Sequence, residues 1–239
     1  MARYNGDTDF NPSSATTNVA IDGTPPVVSV SEPAHLFPAS KTITVKYSAT
    51  DTISGVANYD VQRKIAPWNG VFTTYTTIRS HVTETTQTFT GTPGNEYCFS
   101  VRATDNAGNQ SAWSSDHCVV VPLDDRDLGL ATTGWSRGTS SGAYLGTVTR
   151  TTTAGAKLRK TGAQLNRIAL IVTQCSTCGR IAIYFNGTLW RTISTYAAST
   201  HYKVVLIQPL TYLKTRTIEL KAVDAGKKVI VDGLSVARQ

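Results

Sequence analysis

Residues 97–109 read YCFSVRATDNAGN and carry the clearest structural signal in the chain. Tyr97, Phe99, Val101 and Ala103 alternate with other residues, which is the pattern of a strand that buries one face. The following residues 105–109 are typical of a tight loop, because Gly and Asn adopt positive φ at little cost. The stretch therefore predicts a half-buried strand that ends in a turn.

Alternating segments on the N-terminal side of this strand predict further strands. The paired prolines Pro25 and Pro26 block both helix and central strand, so a domain boundary is expected next to them. The candidate strands between this boundary and residue 97 are 27–30, 42–49, 59–63, 73–78 and 86–89. About seven short strands separated by turn residues predict a β-sandwich over residues 24–122.

The run 97–109, followed by Trp113-Ser114, resembles the last hairpin of fibronectin type III and related bacterial immunoglobulin-like domains. This resemblance covers residues 24–122 and implies an immunoglobulin/fibronectin type III-like sandwich. It implies nothing about a ligand.

The first residues resemble the last hairpin of bacterial immunoglobulin-like repeats, which occur in tandem on surface proteins. The matching residues are Tyr4, Gly6, Asp7, Phe10 and Ser13. The resemblance implies that residues 1–23 are the remnant of a preceding repeat plus a linker, a partial strand pair. The alternative is an ordinary N-terminal tail.

The second half also predicts strands, and no helical period of 3.6 residues occurs in it. Asn186-Gly187 is a strong hairpin signal. Candidate strands are 144–149, 156–160, 167–173, 180–185, 188–194, 202–207, 216–222 and 228–231. Residues 123–239 resemble the C-terminal β-sandwich modules of secreted actinobacterial proteins, and their end, 231–236, resembles the last strand of jelly-roll carbohydrate-binding modules. The expected fold is all-β, with two β-sandwiches in series.

The amino-acid composition favours β-strands, and the sequence also indicates where the protein is located in or outside the cell. Charged residues make up only 16% of the chain, while β-branched residues, which favour strands, are frequent. No apolar run approaches the roughly 20 residues that span a membrane, and residues 1–5 do not begin a signal peptide. We expect either a cytoplasmic chain or a piece of an exported one. The cysteines and the modular pattern favour a secreted or cell-surface location.

Two of the four cysteines flank the loop at 105–109. If Cys98 and Cys118 face each other, the hairpin centre falls at Gly108, inside that loop. The spacing therefore predicts a disulfide between neighbouring strands. Cys98 has the opposite parity to the core-facing Tyr97, so the pair is expected on the outer face of the sheet.

The other two cysteines form the motif Cys175-Ser176-Thr177-Cys178. A redox motif would need a helix after the first cysteine, and residues 180–185 read as a strand. A zinc site would need two more ligands, and the four histidines are scattered. A local disulfide that closes a turn is the favoured interpretation.

No catalytic, metal or cofactor site is predicted. Gly138-Thr139-Ser140-Ser141-Gly142 matches a nucleophile elbow in spacing, but no helix follows it and no acid lies between Ser140 and His201. Asp124, Asp125 and Asp127 offer oxygen ligands for calcium. We favour a solvated linker for these three residues.

Charge and aromatic residues give two sets of candidate binding residues. Residues 1–122 carry 7 Lys and Arg against 10 Asp and Glu, whereas residues 123–239 carry 16 against 6. A half this basic attracts polyanions, although general solubility is an equal alternative. The candidate polyanion-binding residues are Lys157, Arg159, Arg191, Lys203, Lys214, Arg216 and Lys221. The candidates for stacking on sugar rings are Trp135, Tyr144, Trp190, Tyr196 and Tyr202, with burial in the core as the alternative for each.

The leading functional hypothesis is a non-catalytic structural or adhesive module of a large secreted or surface protein of bacteria. The first alternative is binding of carbohydrate or an anionic polymer by residues 123–239. The second is an accessory region of a secreted hydrolase. Expected partners are neighbouring domains of a longer chain and an acidic cell-wall or extracellular polysaccharide. Specific nucleic-acid binding is not expected, because regularly spaced aromatic residues are not evident.

Overall fold

A computed structural model describes residues 2–4, 13–15 and 21–238, and for residues 2–4, 13–15, 206–209 and 211 it describes the backbone only. The regular structure of these residues consists of strands and two 3₁₀ turns, so the predicted all-β class is confirmed. The first nine strands are β1 (Ala2–Tyr4), β2 (Ser13–Ala15), β3 (Val27–Glu32), β4 (Thr42–Thr50), β5 (Val56–Pro67), β6 (Thr76–Val82), β7 (Thr86–Thr90), β8 (Asn95–Asp105) and β9 (His117–Val120). The others are β10 (Leu123–Asp124), β11 (Gly129–Leu130), β12 (Ser136–Thr139), β13 (Thr147–Thr151), β14 (Lys157–Gln174), β15 (Arg180–Phe185), β16 (Thr188–Ser194), β17 (His201–Ala222) and β18 (Val229–Ala237).

Strands β3 to β9 form the first sandwich. One sheet has the order β3-β4-β7 and the other β6-β5-β8-β9. Both sheets contribute to a single apolar core. Val45 of β4, in the first sheet, and Val61 of β5, in the second sheet, are fully buried in it. The alternating residues of β8 enter this core as predicted, since Phe99 and Val101 are 0% exposed. Assignment of this sandwich to the immunoglobulin or fibronectin type III family stays a prediction.

The N-terminal strands β1 and β2 pair antiparallel, with Arg3 opposite Ser14. Gly6, Asp7 and Phe10, on which the resemblance to a preceding repeat also rests, lie outside the described residues. The remnant of a repeat over residues 1–23 therefore stays a prediction.

The second half forms one nine-stranded sheet that folds over on itself. Its main path is β12-β13-β18-β14-β17-β15-β16, with β10 paired to β18 and β11 to β14. The predicted strands 156–160 and 167–173 are the two halves of the continuous strand β14, and 202–207 and 216–222 are halves of β17. Register shifts in β14 between Lys160 and Ala163 and between Leu165 and Arg167 mark the bend. Bulges bend a strand without ending it, so each long strand serves both layers around one core.

Two local predictions in this half have different outcomes. Asn186 and Gly187 have φ of 52° and 82°, which matches the tight hairpin predicted between β15 and β16. The predicted strand at 144–149 is wrong in its first part. Residues Tyr144–Gly146 form a 3₁₀ turn in which Leu145 has φ of 52°, and β13 begins only at Thr147.

Both predicted disulfides are present. Cys98 and Cys118 are directly opposite each other on β8 and β9, and Cys175 is joined to Cys178. The pair lies on the outer face, as its parity predicts, but Cys98 is 0% exposed there. Lys64 lies opposite Cys98 on β5. Its ammonium forms an ion pair of 2.6 Å with Asp116, so the outer face is occupied here by neighbouring side chains.

Reduction is expected to add four hydrogens to the intact mass, two for each disulfide. Removing Cys98–Cys118, with a sequence separation of 20, should lower the free energy of unfolding by about 3 kcal/mol. Removing Cys175–Cys178, with a separation of 3, should lower it by about 2 kcal/mol, since it closes a shorter loop. Mass spectrometry and urea denaturation of the double-serine variants check both statements. An unchanged mass after reduction would contradict the pairing.

A buried junction joins the two sandwiches. Phe37 and Val120 pack with Ala169 and Ala237 in one apolar cluster. Next to it, Arg238, which directly follows β18, reaches the first sandwich. Its backbone N–H donates to Glu96 Oε2 at 2.9 Å, and its guanidinium donates to the carbonyls of Gly70 and Pro67. Burial raises the pKa of Glu96 and lowers the pKa of Arg238.

Candidate functional site

A groove crosses the face of strands β12, β13 and β18. It consists of two adjoining clefts of 310 Å³ and 290 Å³ that share Arg150, Lys228 and Ile230. We call it the Arg150–Lys228 groove. Its other lining residues are Gly134, Ser136, Thr139, Ser140, Val148, Thr151, Thr152, Thr173, Cys175, Ser176, Thr177, Thr200 and Tyr202.

Alternation in β13 builds the centre of the groove. Thr149 points away from it and is buried, and its hydroxyl donates to Asp125 at 2.5 Å. The next residue, Arg150, therefore points to the other side of the sheet. Ser136 and Ile230 are the partners of Arg150 on the two neighbouring strands, so these three side chains share one face.

The groove is positively charged and rich in hydroxyl groups. Arg150 and Lys228 are exposed, and within the described part of the chain neither forms an ion pair within 4.0 Å. No Asp or Glu is among the residues that line the groove, whereas nine are Ser or Thr. Two cations without carboxylate partners favour an anionic ligand, and the hydroxyl groups both donate and accept hydrogen bonds.

Tyr202, one of the predicted stacking residues, lines the groove and supplies one aromatic surface to it. Its side chain is 55% exposed. The ring packs on Gly142, where a Cβ atom would lie 2.7 Å from the ring Cγ. A glycine is therefore required for this close approach, and the ring is held at the edge of the groove.

The other predicted stacking residues do not share this groove. Tyr144 is buried, with its hydroxyl donating to the carbonyl of Pro122 at 3.0 Å, so its prediction as an exposed stacking residue is wrong. Trp135 and Trp190 are half-buried against the apolar core. Tyr196 is 59% exposed but lines a separate cleft beside the Cys175–Cys178 turn.

Three of the predicted polyanion-binding residues lie together on the opposite layer. Lys157 and Lys221 face each other on β14 and β17, with Arg159 next to Lys157. Glu219 lies among them, 2.6 Å from Arg159 and 3.4 Å from Lys157, and the hydrogen bond from Arg159 holds the pKa of Glu219 below its ordinary value. This outer face is therefore partly neutralised by its own carboxylate.

The remaining predicted cations are dispersed. Lys203 and Lys214 are exposed, and the Arg191 guanidinium lies 5.2 Å from the centre of the Trp190 ring. Arg216 is half-buried with its guanidinium 4.9 Å from the centre of the Phe185 ring. Arg216 has the same parity as the core residue Ile218, which explains why it does not join the outer face.

Acidic residues lie beneath the groove at the junction of the sandwiches. Asp125 is 0% exposed, so the expectation of a solvated linker is wrong for this residue. Asp232 is equally buried and accepts the backbone N–H of Tyr144 at 2.9 Å. Burial, together with the charge of Asp125, raises the pKa of Asp232 to about 6. Burial and the adjacent Asp125 also raise the pKa of Asp124 to about 6.

Sequence reasoning missed Arg150 as a site residue and considered Ser140 only in a nucleophile-elbow motif, which it rejected. A usable signal was present in β13, where residues 147–151 read TVTRT. An arginine between two threonines in a strand points to one face while both threonines point to the other. The position of this face next to Tyr202 depends on pairing between distant strands, which spacing does not show.

Comparison with known proteins yields structural similarities only. No protein-family model matches the chain, and no curated protein matches it. A carbohydrate-binding module of the β-sandwich superfamily aligns with 90% of this chain and 99% of its own, at 15% identity and a TM-score of 0.41. The CBM36-1 domain of a multidomain xylanase from the hindgut metagenome of Trinervitermes trinervoides aligns with 47% of this chain and 92% of its own, at 15% identity and a TM-score of 0.35.

An α-L-rhamnosidase from Dictyoglumus thermophilum aligns with 90% of this chain and 28% of its own, at 12% identity and a TM-score of 0.37. Similarities this low assign neither a family nor a function to the chain. Separately, no helix among the described residues is long and apolar enough to cross a membrane.

Proposed function

We propose that residues 123–239 form a non-catalytic module that binds an acidic polysaccharide through the Arg150–Lys228 groove. The observation that carries this proposal is the pair of cations without carboxylate partners in a groove lined by nine Ser and Thr residues. The proposal includes the division of the chain into residues 1–23, 24–122 and 123–239. It also includes an extracellular location, which the two disulfides favour.

The chemistry of the groove fits a chain of sugars that carry carboxylate or phosphate groups. Hydrogen bonds between a cation and such a group contribute about 1.5–3 kcal/mol each. Ser and Thr side chains can bond the sugar hydroxyls, and the exposed ring of Tyr202 offers an apolar surface for a sugar ring. A neutral polysaccharide would leave Arg150 and Lys228 without anionic partners.

A titration of the whole chain against polygalacturonate and a neutral galactan tests the proposal. We expect binding to polygalacturonate that weakens as salt rises from 0.05 to 0.5 M, because ions screen exposed charges beyond about 8 Å at physiological strength. The galactan should bind at least tenfold more weakly. Equal binding of the two polymers with no salt dependence would contradict a charge-based site.

A pair of matched variants locates the site. Arg150→Gln/Lys228→Gln should lower affinity for polygalacturonate by at least tenfold, because both cations of the groove are lost. Lys157→Gln/Lys221→Gln removes the same charge from the opposite layer and should change affinity by less than threefold. A larger loss of affinity in Lys157→Gln/Lys221→Gln would instead place the binding site on the face that carries Lys157 and Lys221, which the sequence predicted.

A structural or adhesive role is the second candidate. The observation that favours it is the buried junction, in which Arg238 of one sandwich binds Glu96 of the other. Such a junction holds two modules in a fixed relative position, which suits a rigid segment of a long extracellular chain. This role is compatible with the groove, since Arg238 does not line it.

A further inference from the structure

Three carboxylates meet where the chain enters the first sandwich. Asp22 precedes β3, Asp51 follows β4 and Asp105 ends β8. One carboxylate oxygen from each lies within 4.8 Å of the other two. Asp22 and Asp105 are 8% and 2% exposed. No Lys, Arg or His among the described side chains forms an ion pair with any of the three.

Asp22, a member of this cluster, has one buried carboxylate oxygen without a hydrogen-bond partner. Its Oδ1 accepts the backbone N–H of Thr24 at 2.8 Å, whereas its Oδ2 is buried and accepts no hydrogen bond. A buried carboxylate oxygen without a donor is costly. The neighbouring loop holds Asp51 in place, since Asp51 Oδ1 accepts the N–H of Gly55 at 2.8 Å. The position of Asp51 is therefore fixed by its own loop.

We propose that Asp22, Asp51 and Asp105 bind a Ca²⁺ ion. The residues supply only hard oxygen ligands, which suits Ca²⁺ and excludes the nitrogen and sulfur sites of zinc. Backbone carbonyls and water complete six to eight ligands around Ca²⁺, which tolerates irregular geometry better than Mg²⁺ does. We expect a dissociation constant of about 0.1–1 mM, in the range of extracellular calcium modules. This site is independent of the Arg150–Lys228 groove.

Bound calcium would join three segments that are distant in sequence. Asn109 already links two of them, since its Nδ2 donates to the carbonyl of Asp22 at 3.0 Å and to Asp105 Oδ2 at 2.8 Å. Calcium would add a direct bridge from Asp22 to Asp51. The entry of the chain into the first sandwich would then be stiffened by the ion.

The test uses the whole chain, treated with a chelator and kept at 0.15 M NaCl to screen nonspecific binding. Calorimetric titration with CaCl₂ should show one site, and 10 mM CaCl₂ should raise the Tm by a few degrees. MgCl₂ should bind at least tenfold more weakly. Asp22→Asn keeps the acceptor for Thr24 N–H and should weaken Ca²⁺ binding more than tenfold.

Glu84→Gln is the matched control, because it removes one exposed negative charge from the same sandwich. It should change the calcium affinity by less than twofold. Absence of calcium binding up to 10 mM in the wild-type chain would overturn the site. Equal weakening in Asp22→Asn and Glu84→Gln would also overturn it, because the effect would then follow net charge. Circular dichroism in chelator confirms that Asp22→Asn is folded.

Discussion

Replacing Arg238 with Ala is expected to lower the free energy of unfolding by about 3–5 kcal/mol, because it leaves Glu96 buried without a positive partner. The two side chains are only 4% and 0% exposed. Glu96 Oε2 accepts both the backbone N–H and the guanidinium of Arg238. Truncation also leaves the carbonyls of Gly70 and Pro67 without this donor. Urea denaturation and calorimetry measure the loss.

Two further variants separate the charge from the packing. Glu96→Gln/Arg238→Met removes both charges at similar volume and should recover part of the lost stability, since no unpaired ion remains. Arg180→Ala breaks an exposed ion pair with Asp224 and should have a much smaller effect. A loss below about 1 kcal/mol for Arg238→Ala would mean that water reaches Glu96 and that the junction opens in solution.

The sequence predicts the first sandwich well because its signals are local. The alternation of Tyr97, Phe99, Val101 and Ala103 depends only on side-chain parity, and the partner of Cys98 follows from the centre of one hairpin. Parity also places that disulfide on the outer face, but it does not show the side chains that cover Cys98 there. Lys64 and Asp116 reach that face from other parts of the sandwich.

The second half shows where local signals fail. The strands β14 and β17 were each predicted as two pieces, because a bend interrupts alternation in the same way as a strand end does. Tyr144 was predicted to be available for stacking, yet it is buried through contacts with Pro122 and Asp232. Those contacts join residues up to 88 positions apart. Arg150 and Lys228 likewise become neighbours only through the pairing of β13 with β18.

Acidic pH is expected to stabilise the chain between pH 7.5 and 5. Asp232 and Asp124 have pKa values of about 6 in the folded protein, against about 3.9 in an unfolded chain. The folded state therefore binds more protons than the unfolded state between these values, so the free energy of unfolding falls as pH rises through this window. Each carboxyl should contribute about 1.4 kcal/mol between pH 5 and pH 7.5.

Urea denaturation at four pH values measures this dependence, and Asp232→Asn assigns it. The amide of Asn keeps an oxygen that accepts the N–H of Tyr144 but carries no charge, so the variant should lose about half of the stabilisation on acidification. Asp224→Asn is the control. Its hydrogen bonds from Arg180 hold the pKa of Asp224 below the ordinary value, so its own stabilisation is lost only as pH falls below about 4. A wild-type stability that decreases steadily from pH 7.5 to 5 would show that Asp232 and Asp124 stay ionised and hydrated in the folded chain. An unchanged slope in Asp232→Asn would show this for Asp232 alone.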